Sequence, residues 1–328
     1  MHPDFAKILV EPRTYSPLTL SITKEEDGQI IEGTLTSQKT GKVYQIVRGI
    51  PRFVPNESYV SNFGKQWNMF REVQLDSESQ IPESKQRFDD ETEFTPARIG
   101  GKLVLDAGCG AGRFAEVAAS YGAHVVAMDL SLAVEATAET LKKYPNTHVV
   151  QADIFEPPFA PGTFPFAYSI GVIQHTPDPK RAVRSIVTTV APGGKFALTI
   201  YGRKPWTKLN GKYWLRPITK RLPQSVLLGA IKTGMPILFP ITDTLFRLPA
   251  GLGHLAKFVI PVANYVDRTD RTREQRYAEA VLDTFDALAP AYDLPMTASE
   301  VETAARAAGA GDLHFHSRVP VVVCGERR

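Results

Sequence analysis

Cysteine is scarce: Cys109 and Cys324 are the two in 328 residues. That excludes a disulfide framework and a cysteine-rich zinc centre, and it fits a reducing cytoplasm. No uninterrupted apolar run is long enough to cross a bilayer. The longest candidates, between Val226 and Val266, are broken by prolines and charges, as in "PILFPITDTLFRLPAG". The N-terminal "MHPDFAKILVEPRTYS" lacks the apolar core of a signal peptide. Charge of one sign is not in excess either. A formal net charge of +3 without a long Lys/Arg block argues against a nucleic-acid partner. Internal repeats and low-complexity tracts are also missing.

What is present begins with enough apolar residues, 43% of the chain, to bury a full core. Residues 1–55 alternate short strands with turns: "LTLSIT", "KEEDGQ", "IIEGTLT", "QKTG", then "KVYQIVRGIPRFVP". They read as a small β module. Residues 56–100 turn polar and helical, with Phe63, Trp67 and Phe70 on one helical face; such a stripe reads first as core, and the segment is expected to be a helical linker covering the ligand edge of the sheet that follows. From Gly101 strands and helices alternate: "KLVLDA", "AGRFAEVAASYG", "HVVAMD", "LAVEATAETLKKY", "THVVQAD", "FAYSIG", a helix opened by Asp178 and Pro179, and "KFALTI". Such alternation predicts βαβ units and a parallel, doubly wound α/β sheet. It stops at about residue 202 and two closing strands, "DLHFH" and "VPVVVCG", follow much later. Residues 202–290 are therefore a helical insertion after the fifth strand of the domain at 101–328. The insertion reads as a cap of short helices.

The glycine stretch "LVLDAGCGAGRF" carries the chemistry. Gly108, Gly110 and Gly112 permit a tight strand-to-helix turn and bring backbone N–H groups close to a ligand. The dinucleotide fingerprint is G-x-G-x-x-G; here the spacing is G-x-G-x-G, and Asp106 stands two residues before the first glycine. A carboxylate there repels a pyrophosphate and suits a cationic amino-acid end. Asp129 closes the second strand, where a carboxylate can accept ribose hydroxyls, and Asp153 follows the third, placed for an adenine amino group. All three acids open on one sheet edge.

These residues resemble the class I S-adenosylmethionine-dependent methyltransferases over 101–201. The resemblance implies a Rossmann-like seven-stranded sheet with an antiparallel strand inserted at its edge. It implies S-adenosyl-L-methionine as cofactor, held by Asp106, Gly108, Cys109, Gly110, Gly112, Asp129, Leu130, Asp153, Ile154 and Gly171. Cys109 reads as a small packing residue of the loop. "SIGVIQHTPDP" lies over the transferring methyl in that family, which makes His175 the candidate base, against the plainer reading of a cap or packing residue. Trp67, Tyr201, Trp206, Tyr213, Trp214 and Tyr292 are the candidate acceptor contacts. Arg203, Lys204, Lys208, Lys212 and Arg216 are candidates to hold an acidic group or touch anionic lipid.

A second resemblance lies in "ILVEPRTYSPL" and "GTLTSQKTGKVYQIVRGIPRFV", which look like the halves of a zinc-ribbon module that precedes the catalytic domain in some methyltransferases. The positions of its four cysteines fall on Glu11, Thr14, Ser37 and Thr40. Hydroxyls with one carboxylate cannot replace thiolates, so no metal is expected. The module is expected to fold around Leu9, Leu18, Leu20, Ile30, Leu35, Tyr44 and Ile46 as its own small core.

The expected function is methyl transfer to oxygen or nitrogen of a small-molecule or lipid-like acceptor, in the cytoplasm, with peripheral membrane contact and a homodimer left open. Rivals are RNA or protein methylation and a cofactor-binding module without turnover. A nicotinamide enzyme ranks behind them on glycine spacing and Asp106. "SIGVIQHTP" lacks the Pro-Pro-Tyr type of motif found in amine methyltransferases of protein and nucleic acid.

Overall fold

Along the strands after residue 101 successive apolar side chains leave opposite faces. Val104, Val125, Ala127 and Val149 are buried on one face, and Leu105, Ala107, Val126, Met128 and Val150 on the other. Both faces therefore need cover. The computed structural model describes residues 1–54, 75–79 and 81–328. The expected aromatic face of Phe63, Trp67 and Phe70 lies outside the described residues.

The strands are β1 (Leu18–Glu26), β2 (Gln29–Ser37), β3 (Val43–Val47), β4 (Ile50–Arg52), β5 (Leu103–Ala107), β6 (His124–Asp129), β7 (Thr147–Gln151), β8 (Phe164–Ile170), β9 (Val190–Ile200), β10 (Ala310–Arg318) and β11 (Val321–Arg327). The helices used below are α1 (Glu83–Thr92), α2 (Arg113–Ser120), α3 (Ala133–Leu141), α4 (Pro179–Thr189), α5 (Gly211–Thr219), α6 (Gln224–Leu245), α7 (Leu252–Val259), α8 (Arg273–Leu288) and α9 (Ala298–Arg306).

Seven strands in the order β7-β6-β5-β8-β9-β11-β10 make the doubly wound sheet, parallel from β7 to β9, with β11 inserted antiparallel beside β9. This is the fold class expected from the alternation. Phe88 of α1, Ala115 and Ala118 of α2 and Val134 of α3 cover one face; Val183 and Ile186 of α4 and Val301 of α9 cover the other. Local signals start the helices where the sequence places them. The Asp178 carboxylate accepts the Arg181 N–H at 3.0 Å with Pro179 in the first turn, and Thr297 with Glu300 closes a capping box on α9.

The N-terminal module departs from expectation. β1 to β4 form an antiparallel meander, and β4 then runs parallel to β7, pairing Arg52 with Gln151 while the Phe53 N–H donates to the Gln151 carbonyl at 2.8 Å. The result, among the described residues, is one eleven-stranded sheet. Leu9, Ile30, Leu35, Tyr44 and Ile46 are buried in the same cluster as Leu105, Val126 and Val150, and Leu18 and Leu20 pack partly buried against it. The separate small core is thus replaced by a shared one. An open β7 edge would present unpaired backbone groups, and β4 pairs its last residue, Gln151. The expected single run "KVYQIVRGIPRFVP" is a hairpin that turns at Arg48 and Gly49, with φ of +53° and +74°.

The chain divides into two compact units: Met1–Gly202 with Leu294–Arg328, and Arg203–Asp293. In the second, one 22-residue helix, α6, replaces the short helices expected from the prolines. Pro236 and Pro240 stand four apart on its exposed side, so the ladder bonds they forfeit lie away from the packed stripe. That stripe, Leu227, Ile231, Met235 and Phe239, is buried. Arg276 of α8 binds Asp243 of α6 at 2.7 Å. By length and composition α6 is sufficient to cross a membrane.

Candidate cofactor and active site

Asp106, the next-to-last residue of β5, is buried, with Oδ2 lacking a hydrogen-bond partner among the described residues. Tyr168 is its register partner on β8 and equally buried; the phenol lies beside the acid without a well-formed hydrogen bond. Burial pushes the Asp106 carboxyl up to about 8, the Tyr168 hydroxyl opposes this, and the charge of Asp129 adds to it. A buried acid with an orphaned oxygen is a poor neighbour for phosphate and a ready one for a cation.

The chain then turns through Gly108, Gly110 and Gly112, at φ of +91°, +54° and +89°, the last capping α2. A Cβ on Gly108 would lie 2.4 Å from Val172 Cγ1, so the turn needs glycine for space as well as conformation. Cys109 is buried against Thr137 Oγ1 at 3.4 Å, and burial raises its thiol well above the ordinary range. It packs rather than attacks.

Asp129, at the end of β6, accepts the Gly110 N–H on Oδ2 at 3.0 Å and the Ser131 N–H on Oδ1 at 2.8 Å. Burial raises its pKa while these bonds oppose the rise. One carboxylate thereby fixes the glycine loop. Each of its oxygens still has lone-pair capacity for a ribose hydroxyl. Leu130 is held by Gln151 Nε2 on its carbonyl at 3.0 Å. Asp153, two residues past β7, accepts the Phe155 N–H at 2.8 Å, with its pKa also raised by burial; Ile154 beside it is half-buried. The three acids occupy the carboxyl ends of adjacent strands β5, β6 and β7.

After β8 the chain passes Gly171 at φ +74°, with open space where a Cβ would lie, into the turn Ile173–His175. His175 is half-buried and meets the Tyr201 ring edge-on, centroids 5.5 Å apart. It does not cap the next helix, since Asp178 does. Gln174, not among the residues expected from the sequence, is fully buried and holds this turn. Its Nε2 donates to the Gly171 carbonyl at 2.6 Å, its Oε1 accepts the Tyr201 N–H at 3.4 Å, and its own carbonyl accepts the Leu294 N–H at 2.8 Å. Tyr168 was likewise missed; its signal was a phenol placed level with Asp106 in the next strand.

Of the candidate acceptor contacts, Tyr201 belongs to the first unit; Trp206, Tyr213, Trp214 and Tyr292 belong to the second; Trp67 lies outside the described residues. Two of the basic candidates are engaged internally. Lys212 pairs with buried Asp293 at 2.6 Å, and buried Arg216 donates to the Ala287 and Pro290 carbonyls at 2.9 and 2.7 Å. Their partners stand about 70 or more residues away, so the sequence could not show that they were taken.

In the ribbon-like module Glu11, Thr14, Ser37 and Thr40 come together. Thr14 and Ser37 donate their hydroxyls to Glu11 Oε2 and Thr40 donates to Oε1. These bonds from Thr14 and Thr40 pull the Glu11 carboxyl below its usual range. The backbone N–H groups of Ser16, Thr40 and Lys42 in turn donate to the three hydroxyls. The four positions form a hydrogen-bonded knot around one buried carboxylate.

Residues 105–198 match the methyltransferase domain family. Among curated relatives, the ubiquinone biosynthesis O-methyltransferase of Paraburkholderia xenovorans is 36% identical over 131 residues, and that of Pseudomonas paraeruginosa 31% over 131, each alignment covering 39% of this chain. The chain spans about half, 56%, of the length of these relatives. Among solved structures, phosphoethanolamine N-methyltransferase 2 of Haemonchus contortus, in complex with phosphomonomethylethanolamine and S-adenosylhomocysteine, is 18% identical with a TM-score of 0.45, covering 83% of this chain and 49% of that one. The methyltransferase domain match contains the glycine loop, all three strand-end acids and His175. The cofactor is S-adenosylmethionine, and the site fits it: the orphaned Asp106 oxygen suits an ammonium, and the pinned Asp129 suits vicinal hydroxyls.

Proposed function

We propose that the chain transfers a methyl group from S-adenosylmethionine to oxygen or nitrogen of a small-molecule or lipid-like acceptor. The observation that carries this is the meeting of Asp106, Asp129 and Asp153 at the ends of three adjacent parallel strands around the glycine loop. The bound cofactor supplies a methyl group on a positive sulfur, open to in-line displacement. The protein's share is alignment, exclusion of water and disposal of a proton. Asp106 answers the cationic amino-acid end. Asp129 orients the ribose while it fixes the loop. His175 takes the proton that a hydroxyl or amine acceptor loses, and Gln174 keeps the His175 turn against the start of β9's exit at Tyr201. Two relatives named as ubiquinone biosynthesis O-methyltransferases support a small-molecule acceptor.

Calorimetric titration of S-adenosylmethionine into the chain and into Asp129→Ala tests the cofactor site; binding by the chain that is lost in the variant is expected. Appearance of S-adenosylhomocysteine on incubation with candidate phenols and amines tests turnover. His175→Ala is expected to bind cofactor normally and turn over slower by about 100-fold. An unchanged rate in that variant removes His175 from the chemistry.

A further inference from the structure

An exposed helix face ordinarily carries charge, and the second unit breaks that rule. Opposite the buried stripe of α6, the exposed side presents Val226, Ala230, Ile237 and Ile241 at helical spacing, Ile237 at 66% exposure. α5 exposes Trp214 and Ile218, one turn apart, at 58% and 65%. α7 exposes Leu252, Leu255 and Val259 along one side. Scattered exposed apolar residues need no explanation, but three helices of one unit with apolar outer faces do.

The charge of the same segment is equally one-sided. Residues 203–260 hold ten Lys and Arg and one acidic residue, Asp243, which is paired with Arg276. The whole chain carries only +3, so everything outside this segment is net negative. Lys212 and Arg216 are spent on internal partners, as shown above. Lys204, Lys208, Lys220 and Arg221 are exposed and bracket Trp206, Trp214 and Ile218 in sequence.

We propose that this surface of the second unit seats on an anionic lipid bilayer. Apolar and tryptophan side chains would enter the interface while the lysines and Arg221 meet lipid phosphates. Charge selects this occupant. A second copy docked about a two-fold axis would set the same lysines against each other, whereas a negative leaflet neutralises them. α6 lies in the interface and does not cross it, because crossing would strip its buried stripe from α8 and break the Asp243–Arg276 pair. The proposal is independent of turnover, since binding is read without it.

The test is co-sedimentation of the full chain with vesicles of phosphatidylcholine, with and without phosphatidylglycerol, at low salt and at about 0.5 M NaCl, where surface attraction is screened. Binding to the anionic vesicles, weakened by salt, is expected. Lys220→Gln with Arg221→Gln is expected to lower the partition constant about fivefold per charge removed. Ile237→Ser with Ile241→Ser is expected to lower it about tenfold or more and to abolish the part that survives salt. All four side chains are exposed, so unchanged circular dichroism and melting show that the variants fold. The proposal is overturned by no partition into either vesicle, or by equal partition of the apolar variant. It is also overturned if the lipid-free chain sediments as a stable dimer that Ile237→Ser with Ile241→Ser dissociates, which assigns the face to a second copy. Retention in alkaline carbonate, released only by detergent, assigns α6 to a span and overturns it as well.

Discussion

Cofactor binding should expel a proton, and the proton should come from Asp106. With its carboxyl pushed up to about 8 by burial, the ligand-free chain keeps Asp106 protonated through neutral pH. A cationic ligand end is best met by the ionised acid, so binding must first remove that proton. At pH 6 only about 1% of the chain carries the ionised acid, and at pH 8 about half does; linkage then makes the association constant rise about fiftyfold across that window. The number of protons released is near one at pH 6 and falls towards zero at pH 9. The cofactor's own α-amino group begins to lose its charge near pH 8, which flattens the rise on the alkaline side. The assay is calorimetry with S-adenosylhomocysteine, which retains the amino-acid end, in two buffers of different ionisation enthalpy; the difference in apparent heat gives the proton count. Asp106→Asn cannot ionise, so its affinity should be flat between pH 6 and 7.5. A flat profile with no proton released by the unaltered chain refutes the reasoning, as does an equal slope in Asp106→Asn. The same shift acts on stability with the opposite appearance. A folded pKa above the unfolded one means the ligand-free fold weakens as pH rises from about 4 towards 8, a loss that bound cofactor should reverse.

Three other perturbations follow from the geometry. Gly108→Ala forces a side chain into φ +91° and puts its Cβ 2.4 Å from Val172, so it should destabilise by about 2 kcal/mol or more in urea melts; adding Val172→Ala should recover the steric part and leave the backbone strain. Glu11→Ala should cost about 2–4 kcal/mol by stranding three hydroxyls, and because those bonds depress the Glu11 pKa, the stability it gives is present above pH 4.5 and is lost as pH falls through the lowered value; Glu11→Gln should remove that pH dependence. His148, stacked on Phe5 at 4.4 Å and held down to about 4 by burial, should make the fold lose about 3 kcal/mol as pH drops from about 6.5 to 4, with little further change below; His148→Phe should flatten that part of an acid-denaturation curve, and an unaltered curve would show that His148 titrates normally.

The parts of this molecule that could be read from its sequence are those whose causes lie within a few residues. Strands β5 to β8 announce themselves as short apolar runs because a parallel sheet buries both faces, and each ligand-edge acid stands out because an Asp abruptly ends or follows such a run. Gly112 marks a helix start by its left-handed φ of +89°, and Asp178 does so through the bond its carboxylate accepts from the Arg181 N–H three residues on. The features missed are set by distant partners. Lys212 reads as a free surface cation until Asp293 meets it, and Gln174 reads as an ordinary turn residue until Tyr201 and Leu294 are brought to it. β4 reads as the end of a separate module because nothing near "IPR" records that Gln151 is waiting across the β7 edge. α6 shows the converse error. Local rules break a helix at Pro236 and Pro240, but a stripe of four buried side chains packed on α8 outweighs two forfeited backbone bonds on the exposed side. The same logic explains why the candidate cofactor residues are legible and the candidate acceptor residues are not: the former cluster at strand ends and the glycine loop within 105–198, whereas Trp206, Tyr213, Trp214 and Tyr292 stand in the second unit, where local pattern assigns them no role.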